Sequence, residues 1–146
     1  MANVWNIYQE IGNRLDNLVT AGTINQVIRL SGVENNNEVN IANYPVAIYE
    51  PPNIESTPEL QKTNMREHIF EIEIYEKAEN IQGPEDVCDL QQNILDDFDD
   101  NITLGGALDL GLEPALTQAM PVQQAGNKLI FFRLIINARA SNHSNF

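Results

Sequence analysis

HIFEIEIYEK, residues 68–77, alternates without a break. Phe70, Ile72 and Ile74 point to one side of an extended chain, and Glu71, Glu73 and Tyr75 point to the other. A period of two with β-branched and aromatic residues on the apolar side is the pattern of a strand buried on one face. Such a strand needs a neighbour, and KLIFFRLIINARA, residues 128–140, supplies the longest apolar run in the chain. This second run is apolar on both faces, as a central strand is. Arg133, Asn137 and Arg139 share one of its faces. If the two long strands are neighbours, these groups pair with Glu71 and Glu73 across the ladder or are simply solvated.

Two shorter strands precede this pair, NQVIRL (25–30) and YPVAIYE (44–50). Pro45 suits the start of a strand or an edge. The asparagine-rich Ser31–Asn40 and the segment Pro51–Glu67 read as loops. The latter exceeds the length expected of a simple connection. Its apolar residues Ile54, Leu60 and Met65 are candidates for docking on a neighbour, with a mobile surface loop as the alternative. A glycine-punctuated loop, NITLGGALDLGLEPA, merges into a strand near residues 112–120. QQAGN (123–127) reads as a hairpin turn.

Two helices frame these strands. In the first, Val4, Ile7, Tyr8, Ile11, Leu15, Leu18 and Val19 recur at three- and four-residue spacing, with Gly22 just past the end. The second starts at Gly83–Pro84 and runs to about Asp100, with proline in its first turn. At 100° per residue, Val87, Cys88, Leu90, Ile94, Leu95 and Phe98 fall on one arc and the acidic residues on the other. The expected fold is a single α+β domain over 1–146, in the order α-β-β-β-α-β-β. Its mixed or antiparallel sheet has about five strands packed against two helices. Residues 1–2 and 141–146 are expected to fray.

Composition narrows function. The 146 residues carry 21 acidic and 8 basic side chains, a net charge of −13. Such a chain is a poor ligand for nucleic acid or an anionic membrane. The single cysteine, Cys88, excludes an internal disulfide and a cysteine-based zinc site. The opening MANVWNIYQE has no basic region followed by an apolar run, so synthesis as a soluble cytosolic chain is expected. No phosphate-binding loop, GxSxG or HExxH pattern occurs, and His68 and His143 are too scattered for a triad. His68, at a strand edge, reads as packed or solvated. The expectation is therefore no enzyme, no cofactor and no metal.

One stretch resists that bland outline. ILDDFDD, residues 94–100, gathers Asp96, Asp97, Asp99 and Asp100 around Phe98. From Ala78 to Asn127 there are ten acidic residues and no lysine or arginine. The aspartates stand at the negative end of the second helix, where each is unfavourable by about 0.3–1 kcal/mol when exposed. A calcium loop fails, because Ile102 and Leu108 would occupy positions that require glycine and glutamate. What remains is a solvated helix face or a negative surface for a partner.

The element order resembles that of the tail terminator (tail completion) proteins of tailed bacteriophages. The resemblance is carried by VWNIYQEIGNRLDNLV, by YPVAIYE with its following PP, by HIFEIEIYEKAE leading into the second helix, and by KLIFFRLIINARA after a glycine-containing turn. It covers nearly the whole chain and rests on pattern and order. It implies a structural virion protein that forms a homo-oligomeric ring, usually a hexamer. Such a ring caps the tail tube protein and joins it to the neck or head–tail connector protein, with DNA passing through its lumen without specific binding. An acidic wall suits that passage, because it repels phosphates. Other readings are another neck or head–tail joining subunit, or a small acidic metal-binding or adaptor module.

Overall fold

The computed structural model describes residues 3–33, 41–58, 63–124 and 126–143. Leu60 and residues 34–40 therefore lie outside the described residues, as do 1–2 and 144–146. The elements are α1 (Val4–Thr20), β1 (Gln26–Arg29), β2 (Val46–Tyr49), β3 (Asn53–Pro58), β4 (Thr63–Lys77), α2 (Pro84–Asp99), β5 (Leu112–Leu116), β6 (Met120–Gln124) and β7 (Asn127–His143). A single 3-10 turn at Ala78–Asn80 links β4 towards α2. The α+β class is as expected, but the sheet has seven strands and not about five.

Its spine is the antiparallel pair β4–β7. All 15 residues of β4 are in register with β7, from Thr63 opposite His143 to Lys77 opposite Leu129. Each outer edge of this pair is covered by two short strands in succession. On β4, antiparallel β2 covers residues 73–75 and antiparallel β3 covers residues 64–69. On β7, β6 covers residues 127–131 and β5 covers residues 134–138. β1 adds to β2 in parallel and completes the order β1-β2-β4-β7-β5. Pro45 stands just ahead of β2, after a cis peptide bond.

Three corrections follow from the long spine. The expected loop Pro51–Glu67 contains β3 and the first five residues of β4. Its polar residues hid a hairpin arm whose pairing comes from β4 and β7, not from an apolar stripe of its own. The expected single strand near 112–120 is two strands. They are parted where Thr117 donates its backbone N–H to Arg133 O at 2.9 Å and accepts Arg133 N on Oγ1 at 2.8 Å. Likewise, β7 continues through Ser141–His143, which were expected to fray, because β4 pairs with it there.

Both helices lie on one face. α1 is capped by Asn3, whose Oδ1 accepts from Trp5 N at 2.8 Å and Asn6 N at 3.3 Å. Ile7, Ile11, Leu15 and Leu18 of α1 join Ile94 and Phe98 of α2 above Phe70, Ile72, Ile74, Phe132, Leu134 and Ile136. Leu104 and Leu108 fold in from the glycine-rich connection. α2 is less embedded than its arc implied. Val87, Leu90 and Leu95 are partly buried and Cys88 is exposed; only Ile94 and Phe98 of α2 are fully buried. The opposite sheet face holds a smaller cluster around Leu30, Val46 and Ile48, with the Tyr75 ring tilted against Phe131 at 4.8 Å between centroids.

The cross-strand charges are only partly as expected. Arg133 is opposite Glu73, but Glu71 is opposite Ile135. Arg139 is opposite Glu67 and reaches over to Glu113 on β5, at 2.7 Å. His68 is buried within β4, not at a sheet edge, with Nδ1 at 3.2 Å from Ala138 O.

Phe98 is fully buried between helix and sheet. Phe98→Ala is expected to cost about 3–5 kcal/mol, read as a lowered midpoint in urea unfolding. A change under about 1 kcal/mol would show that α2 is not anchored by this ring.

Candidate functional site

The aspartate cluster is divided by the helix it sits on. Asp96, Asp99 and Asp100 are exposed, and Asp96 accepts from Gln92 Nε2 at 2.7 Å. Asp97 turns instead towards α1, where Arg14 Nη1 lies 3.8 Å from its Oδ1. Its Oδ2 is buried with no hydrogen-bond partner among the described residues. Burial raises the Asp97 pKa above its ordinary value and the nearby Asp100 adds to this, while Arg14 opposes it. Asp97 therefore belongs to the contact between the helices, and the outward negative surface is made by the other three with Glu85, Asp86 and Asp89.

The three apolar residues proposed for docking do not form one patch. Ile54 is opposite His68 and Met65 is opposite Thr57, so the alternation puts them on different faces of the hairpin. Ile54 is exposed, Met65 is half-buried, and Leu60 lies outside the described residues.

A more developed surface lies where α1 meets the ends of β1 and β2. Trp5, Tyr8, Arg29, Leu30, Ser31, Pro51 and Pro52 line a mainly apolar groove of about 640 Å³. Trp5 is 60% exposed, which is unusual for the largest apolar side chain. It stacks on Tyr8 at 5.6 Å between ring centroids, and Tyr8 stacks on Tyr49 at 4.8 Å. The floor is held by hydrogen bonds. Tyr8 Oη donates to Leu30 O at 2.9 Å, and Tyr49 Oη donates to Tyr8 O at 3.1 Å. Arg29 donates from Nε to Tyr49 Oη at 3.3 Å and from Nη2 to Asp16 at 2.8 Å. Burial pushes the Tyr49 hydroxyl up to about 12, so it stays a neutral donor.

Gly12 makes this arrangement possible. A Cβ there would lie 2.4 Å from Tyr49 Oη and 2.6 Å from Arg29 Nη2. The sequence held one signal for the groove: Trp5 falls outside the apolar stripe of its helix. An indole left off the buried face must find its contacts elsewhere.

A second, polar cavity of about 360 Å³ lies between Tyr44–Pro45, the 3-10 turn and the start of α2. Buried Glu76 lines it, and its Oε1 accepts from Lys77 N at 2.7 Å and Asn80 Nδ2 at 2.9 Å. Among the described residues no three His, Cys, Asp or Glu side chains are placed to hold a metal ion. Among them, too, no helix is long and apolar enough to cross a membrane.

Comparison with protein-family models and with curated proteins finds no match for this chain.

Two outcomes are expected from this geometry. Gly12→Ala should destabilise the protein by about 1–3 kcal/mol in chemical unfolding, because Tyr49 is pinned and cannot yield. A neutral effect would mean that the Tyr49–Arg29 contact is adjustable. Asp97→Asn should raise the melting temperature at neutral pH, because the folded state prefers the uncharged group. The sign follows from linkage. A carboxyl raised in the folded state carries its full penalty above its folded pKa and none below the unfolded value. The gain over wild type should therefore shrink as pH falls through the carboxylate range. His68, whose pKa burial lowers, loses stability as pH falls below its ordinary 6.5, but it does so in both proteins and cancels in the difference. A lower melting temperature for the variant would show that the Arg14 attraction outweighs burial.

Proposed function

We propose that this protein is a structural virion subunit, a tail terminator. Six copies form a ring that caps the tail tube and joins it to the neck or head–tail connector. DNA passes through its lumen without being gripped. The observation that carries this reading is the imbalance of charge on the folded surface. Arg14, Arg29, Lys77 and Arg139 are each drawn to a carboxylate of their own chain. Among the described residues, the acidic face of α2 has no such neutralisation beyond Arg14 with Asp97. A face of one sign repels DNA phosphates at short range and is screened by salt at long range. That suits a wall past which DNA moves.

Self-association is supported by a different feature. Trp5 and the proline-walled groove expose apolar surface of the kind that marks subunit contacts. Aromatic and arginine side chains are the commonest energetic centres of such contacts. The resemblance that suggested this reading rested on the order α-β-β-β-α-β-β, to which the structure adds one strand before α2 and one after it.

The test is direct. The purified protein should give a hexamer mass by light scattering and rings in negative-stain electron microscopy, and should be detected in purified particles. A monomer at every concentration, together with absence from particles, would end this reading.

A further inference from the structure

The polar cavity of about 360 Å³ beside the 3-10 turn contains a carboxylate whose charge the chain leaves unanswered. Glu76 is 8% exposed, and among the described residues no lysine or arginine forms an ion pair with it. Both of its hydrogen bonds fall on one oxygen. Oε1 accepts from Lys77 N at 2.7 Å and from Asn80 Nδ2 at 2.9 Å, which braces the turn. Oε2 accepts nothing from the described residues, and unlike Asp97 Oδ2 it is not sealed from solvent. Glu76 lines the cavity, so the cavity is where this second oxygen finds its opening. A carboxylate so deeply buried is unfavourable unless a cation or further donors complete its shell.

The rest of the lining is matched to a cation. Asn80 commits its amide nitrogen to Glu76, and Asn25 donates from Nδ2 to Tyr44 O at 2.7 Å. A carboxylate or carbonyl oxygen can only accept, so both amide orientations are forced and each amide oxygen is left as an acceptor. Asp86 adds a second carboxylate, whose Oδ2 accepts from Gln82 N at 2.9 Å. Among the described residues no lysine or arginine lines the cavity. Lys77 lies instead beside Glu79, at 4.0 Å, and over the Tyr44 ring, at 5.6 Å. Tyr44, Pro45, Ile81 and Leu90 supply an apolar wall. A metal ion has no use for such a wall, and the described residues bring no three His, Cys, Asp or Glu side chains together here. An ammonium group on an alkyl stem uses both parts: its N–H groups meet the oxygens and its methylenes lie along the wall.

We propose that this cavity binds a primary ammonium group carried on an alkyl stem, with Glu76 Oε2 as its counter-ion. The group is that of a free amine or of a lysine side chain offered by another polypeptide, and the recognising chemistry is the same for both. The site goes beyond the ring reading and does not depend on it.

Amide NMR of the full, isotope-labelled chain at physiological ionic strength tests it. n-Butylamine should shift the Lys77 backbone amide and the Asn80 and Asn25 side-chain amides saturably, with a Kd of about 1 mM. Tetramethylammonium, which has the same charge and no N–H donor, should not. Glu76→Gln keeps an oxygen for Lys77 N and Asn80 Nδ2 and removes the charge, so it should weaken binding about tenfold or more. Glu71→Gln, the same change at an exposed position of the same strand, should leave binding as it is. Putrescine and Nα-acetyl-lysine methylamide then separate the sources. Tighter binding of the lysine derivative assigns the site to a polypeptide's side chain, and tighter binding of putrescine assigns it to a free amine. Equal shifts with tetramethylammonium, or an equal loss in Glu71→Gln, would mean general screening of an acidic surface and overturn the site. Saturation by calcium chloride with no response to the amines would overturn the ligand class. No saturable shift with any amine would leave Glu76 as a brace of the turn alone and overturn the proposal.

Discussion

The β4–β7 ladder is the constraint on which the rest of the molecule depends. Its 15 consecutive pairs hold two long strands in one register. A slip of one residue would move Phe70, Ile72 and Ile74 out of the core and bring Glu71 and Glu73 into it. The apolar side chains on both strands make that slip prohibitive. Once the register is set, the short strands need little information of their own. β2, β3, β5 and β6 find their positions because the spine presents unpaired backbone groups on both edges. The prolines of β5 and β6, Pro114 and Pro121, are tolerated because those strands are sheet edges.

The helices convert this sheet into a body with two different flanks. α1 packs over β1, and its outer turns pair aromatic rings with the Tyr8–Tyr49–Arg29 hydrogen bonds. α2 sits over β5 and ends in the carboxylates. The absence of a side chain at Gly12 lets Tyr49 and Arg29 approach the helix, and so shapes the groove from below. Burial keeps the Tyr49 hydroxyl protonated, which preserves its hydrogen bond to Tyr8. Packing and surface chemistry are thus joined at one point, and a change to the core at Gly12 is felt on the outer surface.

Charge is distributed with the same asymmetry. Arg14 and Arg139 are drawn inward or across strands, where partial burial strengthens the pairing, whereas Arg29 and Lys77 pair at exposed sites. The anions concentrate on one helix face, at a cost in isolation that a neighbour of opposite charge would relieve. Asp97 is the exception within ILDDFDD. Its helical position turns it towards Arg14, so it contributes to how the helices meet and not to the outward field.

The two longest strands and both helices were legible in the sequence because their apolar periods are long and each element carries its own signal. The α+β class and the burial of Ile94 and Phe98 followed from those periods, while the antiparallel pairing of the two long strands was only a condition until the register showed it. The hairpin arm at Asn53–Pro58 was not legible, because its polar residues are ordered by partners far away in sequence. The division of residues 112–124 into two strands was hidden for the same reason: Arg133 on β7 sets the break at Thr117. Helical angle alone placed Asp97 among the solvated residues and Cys88 among the buried ones. The position of α1, which brings Arg14 to Asp97, and the packing of α2 through Ile94 and Phe98 decided otherwise. Trp5 falls off its helix stripe, but that position alone did not show a groove, which needed three segments brought together. Local pattern specifies which elements form, whereas the flank on which a surface lies is a property of the order in which the strands pair.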